Sequence, residues 1–347
     1  MGKGQIMKIL FIGECDSFSA QFVDRHAKEG NSVGIIARAD FTKITKPQLQ
    51  SNWYDYPADS VNIDRVFTNI KPQQVVFAGS LFGDEEWSYG VESNRYLGEL
   101  LNALNLSVNH GVDKFIYLSS TEVYRQYKTG LVSEKSEFGP STYKGILSAQ
   151  AEALVKDFGS QNTLNTLILR FSDIYGYKAD EERKDFLSNS IRQLQRLNEI
   201  HINKNRLLTP VHLNDAVEAL YSCDGNTPSK TYNVAGSTPY NPMELTIAVK
   251  KKLNASASLV AQEGNVHANK IDSKLIKSEM EWGEFNSFEE TLSNMKITTV
   301  VRSEDLLVEL PKSEKVNPVL IHLIENVVFF IVAALLTNAF KNHSVLK

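Results

Sequence analysis

MKILFIGECDSFSAQFVDRHAKEGNSVGIIAR, residues Met7 to Arg38, decides the fold. Met7 to Gly13 is a continuous apolar run of strand length, and Phe18 to Gly30 carries helical periodicity and closes on a glycine. Ser32 to Ala37 is a second apolar run. A strand, a helix and a strand joined this closely make a βαβ unit, and strands that are apolar throughout need cover on both faces. Three further runs follow: Gln74 to Ala78 (QVVFA), Lys114 to Ser119 (KFIYLS) and Leu164 to Arg170 (LNTLILR). With right-handed crossovers they imply an α/β chain built as a Rossmann-like, doubly wound parallel sheet, whose ligands bind at the carboxyl ends of the strands.

Working outward, Phe186 to Leu197 and Leu208 to His212 supply the next elements. The stretch from about Thr231 to Trp282, extending to about residue 295, is expected to form a small substrate lobe over the sheet. Glu281 to about Val316 is polar and charged, which reads as a last helix running into a linker at 301–316. Residues 1–300 then form one domain. The last expected element is a hydrophobic helix at 317–340, dominated by the 23 residues from Pro318 to Phe340, with Val327 to Leu336 free of polar side chains. That length can span a bilayer, although His322, Glu325 and Asn326 lie in its first half. Spanning is favoured over a helix lying flat on a membrane or packed on a partner.

Composition narrows the partners. The 347 residues carry 41 acidic and 37 basic side chains, a net charge of −4, so no overall field gathers nucleic acid. Cys15 and Cys223 stand alone, without the spacing of a zinc site or a disulfide framework, and fit a reducing, cytoplasmic setting for the globular part.

Chemistry enters with His110 to Tyr124, HGVDKFIYLSSTEVY. This stretch resembles the strand and loop "GVKRFVYLSSxxVYG" of the extended short-chain dehydrogenases/reductases, the NAD(P)-dependent sugar-nucleotide epimerases and dehydratases. Leu169 to Gly176 (LRFSDIYG) resembles that family's "LRPxxVYG" loop, Thr209 to Val217 its "xFVHVxDVA" segment and Tyr232 to Gly236 its "YNVG" strand. The similarity runs from about residue 7 to about residue 295. It implies that Ser120 is the catalytic serine or threonine, that Glu122 is the acid with which 4,6-dehydratases eliminate water, and that Tyr143 is the general acid/base. Around the dinucleotide the same resemblance places Gly13, Asp16, Ser17, Phe18, Arg38, Ala78, Ser119 and Arg170. His212 is read as a packing histidine.

Two signatures depart from the pattern. Where the family has GxxGxxG, only Gly13 remains, with Asp16 and Ser19 at the other two positions. A carboxylate beside a pyrophosphate repels it, and Asp and Ser are also preferred helix caps, so dinucleotide binding and plain capping stay open as alternatives. Arg38, at the end of the second strand, suits a 2′-phosphate and favours NADP over NAD. In GPSTYKGILSAQAE, residues Gly139 to Glu152, the YxxxK lysine is missing: Leu147 stands four residues after Tyr143, and a register moved by one gives Ser148. A phenol without that lysine titrates near 10 and is a poor base at neutral pH. The segment resembles the "xRGxxxxxAE" helix of atypical family members. Two functions therefore stand side by side: an epimerase or dehydratase acting on a nucleotide sugar at a membrane in polysaccharide synthesis, and a membrane-tethered binding or scaffold protein. A homodimer is implied by resemblance alone.

Overall fold

The computed structural model describes residues 6–14, 16–38, 53–55, 60–78, 91–125, 130–176, 185–223, 227–263, 270–284 and 286–294. All of them belong to the first of the chain's two units, Met1–Ile297. The expected linker at 301–316 and hydrophobic helix at 317–340 lie outside the described residues. Among the described residues no helix is long and apolar enough to cross a membrane.

The chain begins β1 (Lys8–Glu14), α1 (Ser17–Lys28), β2 (Ser32–Arg38), β3 (Trp53–Asp55), α2 (Ser60–Ile70), β4 (Gln74–Phe77), α3 (Val91–Asn109) and β5 (Lys114–Ser120). A 3-10 turn (Thr121–Val123), β6 (Leu131–Val132), α4 (Tyr143–Gln161), β7 (Asn165–Phe171), β8 (Ile174–Tyr175) and α5 (Phe186–Arg196) follow. Next come β9 (Glu199–Asn203), β10 (Val211–His212), α6 (Leu213–Ser222), β11 (Lys230–Val234) and α7 (Pro242–Leu253). The described chain closes with β12 (Ser258–Gln262), β13 (Lys270–Ile271), α8 (Lys274–Glu279) and α9 (Phe288–Asn294). The strands and the first helix read from the sequence fall within one or two residues of these bounds.

Seven strands form one sheet in the order β11-β7-β5-β4-β1-β2-β3, every pair parallel. From β1 the chain winds outward through β2 and β3, then returns to β4 on the other side and winds outward again. The reversal between β1 and β4 opens a crevice at their carboxyl ends, the usual ligand site of such sheets. Alternation within β1 explains the two layers: Ile9 and Phe11 join α1 and α6 on one face, while Leu10 and Ile12 join α2, α3 and α4 on the other. All seven residues of β5 are buried, which only a strand covered on both faces can be.

A smaller apolar cluster gathers Leu187 and Leu194 of α5, Ile200 and Ile202 of β9, Leu245 and Val249 of α7, and Phe288 and Leu292 of α9. The small lobe thus starts earlier than its expected opening at Thr231. Thr231 to Val234 instead belong to the edge strand of the main sheet, because their backbone pairs with β7.

On α1, Phe18, Phe22 and His26 lie at successive i, i+4 positions and all are buried. The His26 ring meets Phe22 edge-on at 4.4 Å and Tyr221 of α6 at 5.1 Å. Burial first, and the neighbouring Arg25 charge second, push its pKa down to about 4. The unfolded chain binds that proton near pH 6.5, so the stabilising effect of a neutral His26 is complete above 6.5 and is lost as pH falls to about 4, a change of about 3 kcal/mol. Urea unfolding followed from pH 7.5 to pH 4 should show His26→Phe losing less stability than the unaltered chain by about that amount; parallel profiles would contradict it.

Candidate functional site

Gly13, next to last in β1, stands opposite Ala37 of β2, and α1 begins at Ser17. Asp16 caps that helix: its Oδ1 accepts the Ser19 backbone N–H at 2.8 Å, and Ser19 Oγ accepts the Asp16 N–H at 3.0 Å. This is a complete capping box, the second of the two readings the sequence left open. Its cost to an anion is direct. The Ser19 N–H that a pyrophosphate would use is already bonded, and the bonding group is a carboxylate. Ser17 is buried, and Phe18 is a core side chain packed edge-on to Phe171 at 6.1 Å. Ala78 is buried after β4, and its N–H bonds Ile12 O at 2.8 Å, tying the two strands at the crevice floor. Arg38 closes β2 opposite Glu14, and its side chain lies outside the described residues. The phosphate end of the crevice thus carries a capped helix start at the position of the family's glycine-rich loop.

At the tip of β5, Ser120 Oγ accepts the Glu122 N–H at 3.2 Å and caps the 3-10 turn. Glu122 is held from α4. Its Oε2 accepts the Thr142 hydroxyl at 2.5 Å, and its Oε1 lies 3.5 Å from Lys144 Nζ. Burial works against its charge, but Lys144, the Thr142 hydroxyl and the more distant Arg206 together hold its pKa below the ordinary carboxylate value. Thr142 in turn caps α4 by accepting the Gly145 N–H at 3.0 Å. Gly145 lets helix and turn approach so closely: a Cβ there would stand 2.3 Å from Glu122 O.

Tyr143, the expected acid/base, hydrogen-bonds Ser93 of α3 through its hydroxyl. Leu147 is 2% exposed within the apolar layer that holds Leu100 and Leu104, and Ser148 is fully buried with its hydroxyl on Lys144 O at 2.8 Å. In neither register does the helix place a lysine at the family's position. The lysine beside it reaches Glu122 instead.

Ser119 and Arg170, expected against the cofactor, belong to a buried polar network. Arg170 grips Glu152 of α4 twice, Nε to Oε1 at 2.8 Å and Nη2 to Oε2 at 2.6 Å, with side chains 2% and 0% exposed. Ser119 donates to the same Oε1 at 2.7 Å. Arg170 Nη1 donates to Tyr124 Oη at 2.6 Å, and Tyr124 donates to Asn233 Oδ1 of β11, also at 2.6 Å. Glu134 completes the ring by accepting the Asn233 backbone N–H at 2.9 Å. Burial compels this: an interior guanidinium and carboxylate must satisfy one another.

His212 is structural as read. Its Nδ1 accepts the Asn214 N–H at 3.2 Å at the start of α6, and its ring meets Tyr175 edge-on at 5.2 Å. Burial lowers its pKa, with Asp215 opposing. Among the described residues no group of three His, Cys, Asp or Glu could hold a metal ion. Thr142, Ser93, Glu134 and Arg206 escaped the sequence reading. Of these only Thr142 had a local signal, a cap residue just before a helix.

Residues 20–235, more than half of the chain, match the NAD dependent epimerase/dehydratase family. The chain belongs to that family. Solved relatives share the fold at low identity. UDP-glucose 4-epimerase of Thermotoga maritima, held with UDP-glucose, superposes with a TM-score of 0.71 at 20% identity, over 82% of this chain and 96% of that one. WbmG of Bordetella bronchiseptica, with NAD and UDP, gives 0.70 at 16% over 84% and 94%. The dTDP-glucose 4,6-dehydratase of Bacillus anthracis, with NAD, gives 0.67 at 17% over 82% and 94%. Protein y4nG of Sinorhizobium fredii, itself uncharacterised, is 27% identical over 115 residues, 33% of this chain and only 26% of y4nG.

The family member's network makes a stability prediction. Arg170→Met takes away the buried partner of Glu152 and leaves it only Ser119 and Lys156, whose Nζ lies 3.2 Å from Oε2; it should cost up to about 3–5 kcal/mol in denaturant unfolding, whereas Arg170→Met with Glu152→Leu should recover most of that loss. Equal stability of the single variant and the parent would show that the pair carries no strain-free structural role.

Proposed function

We propose that this chain binds a nucleotide sugar at the tips of its parallel sheet, beside a membrane where glycan precursors are assembled, without running the family's tyrosine and lysine hydride chemistry. Leu147 carries this reading. A buried leucine stands where the family's helix offers a cation, and the Asp16 capping box puts a carboxylate at the phosphate end of the same crevice. Support for the ligand class comes from the solved relatives, two of which are held with UDP-glucose or UDP. If a dinucleotide enters at all, Arg38 favours NADP over NAD. The membrane station rests on the apolar run from Pro318 to Phe340, with the folded part facing the cytoplasm. Pairing of two copies belongs to the same reading.

A second reading, an epimerase or dehydratase with altered catalysis, is favoured by one observation: Glu122 stands ionised beside Thr142 and Ser120 at the sheet's tip. The two separate by turnover. Incubation of UDP-glucose with the full chain and NAD should return unchanged sugar under the first reading and an epimer or a dehydrated sugar under the second.

Thermal unfolding of the full chain with UDP-glucose should rise, since a ligand at about 100 times its dissociation constant adds about 2.7 kcal/mol, while NADH or NADPH alone should shift it far less. A shift with a dinucleotide and none with UDP-glucose would overturn the binding reading. For the membrane, the full chain should sediment with membranes and a chain ending at residue 312 should not; equal partitioning would remove the tether.

A further inference from the structure

We propose that Lys144, held in place by Glu122, is the side chain that donates hydrogen bonds to the ligand's oxygen atoms in this cleft. The inference rests on the nucleotide-sugar reading above. Its first ground is direction. Successive helical residues point about 100° apart, and here the neighbours diverge: the Tyr143 hydroxyl goes to Ser93 on α3, while Lys144 Nζ goes to Glu122 beyond the tip of β5. Ser93 stands in the first turn of α3, which follows β4, and Glu122 follows β5, so both neighbours reach groups on the side where an open parallel sheet receives its ligands, and they reach different ones.

The second ground is preparation. Glu122 is fixed from two sides, by the Thr142 hydroxyl at 2.5 Å and by the carboxylate's bond to Lys144, and Thr142 is itself locked by the Gly145 N–H. A carboxylate held this firmly fixes the direction of the ammonium it binds, as a supporting residue does in a binding site. An ammonium has three donors, so one bond to Glu122 leaves donor capacity for a hydroxyl or phosphate oxygen. The third ground is access. Lys144 and Glu122 side chains are 25% and 36% exposed, neither sealed in the core nor free in solvent. From the lobe's side, Arg206 adds its charge toward Glu122 while pairing with Asp173 at 3.6 Å, so sheet tip and lobe meet around this ion pair.

Calorimetric titration of the full chain with UDP-glucose tests the inference, with melting temperature measured on each variant. Lys144→Met should raise the dissociation constant about tenfold or more, the loss of one charged hydrogen bond, with little change in melting temperature because a part-exposed ion pair contributes little to stability. Lys144→Arg should restore most of the affinity, and Tyr143→Phe should change it less than Lys144→Met does. Unaltered affinity in Lys144→Met, or a larger loss in Tyr143→Phe, would overturn the role of Lys144 and leave the nucleotide-sugar reading standing. Failure of the unaltered chain to bind UDP-glucose would overturn both.

Discussion

The bidentate bond between Arg170 and Glu152 is the constraint on which the rest of the molecule depends. It joins β7 to α4 across the buried face of the sheet, and its remaining hydrogen-bonding capacity is met by Ser119 from β5 and by Tyr124. Tyr124 then hands the chain of bonds to Asn233 on β11. A buried charge needs its partners, and Glu152 has a second one in Lys156, whose Nζ lies 3.2 Å from Oε2. The helix is therefore pinned against the sheet at one height and one rotation. That rotation puts Leu147 into the apolar layer and Thr142 and Lys144 at the strand tips.

Seen this way, the likeness to sugar-nucleotide enzymes is concentrated in residues that hold the scaffold. The stretch SSTEVY supplies Ser119 and Tyr124, LRF supplies Arg170, YNV supplies Asn233, and the helix supplies Glu152. Where the family does chemistry the likeness thins. The glycine-rich loop has become a capping box, and the helical cation has become a leucine. Scaffold and chemistry can part in this way because a fold is secured by packing and polar satisfaction, whereas an activity resides in a few atoms at the site.

The cleft that remains is organised by the 3-10 turn and the cap of α4. Gly145 lets the helix come close enough for Thr142 to reach Glu122, and Glu122 then reaches Lys144. Arg206 approaches from the lobe, whose own core is separate from the two layers of the main sheet.

By itself the sequence determined the alternation of strands and helices, because unbroken apolar runs between amphipathic helices admit only a parallel sheet covered on both faces. It also determined that the YxxxK lysine and two of three loop glycines are gone, since those are matters of residue identity. That Asp16 caps a helix, that Arg170 meets Glu152, and that Tyr143 and Lys144 reach different partners were decided only in three dimensions. Each turns on the direction of a side chain toward a group 3 to 50 residues away along the chain, as with Asp16 and Ser19 or Tyr143 and Ser93, and periodicity carries no record of such partners. The small lobe shows the same limit, since its core draws on separated segments between Tyr175 and Leu292 that no local pattern connects.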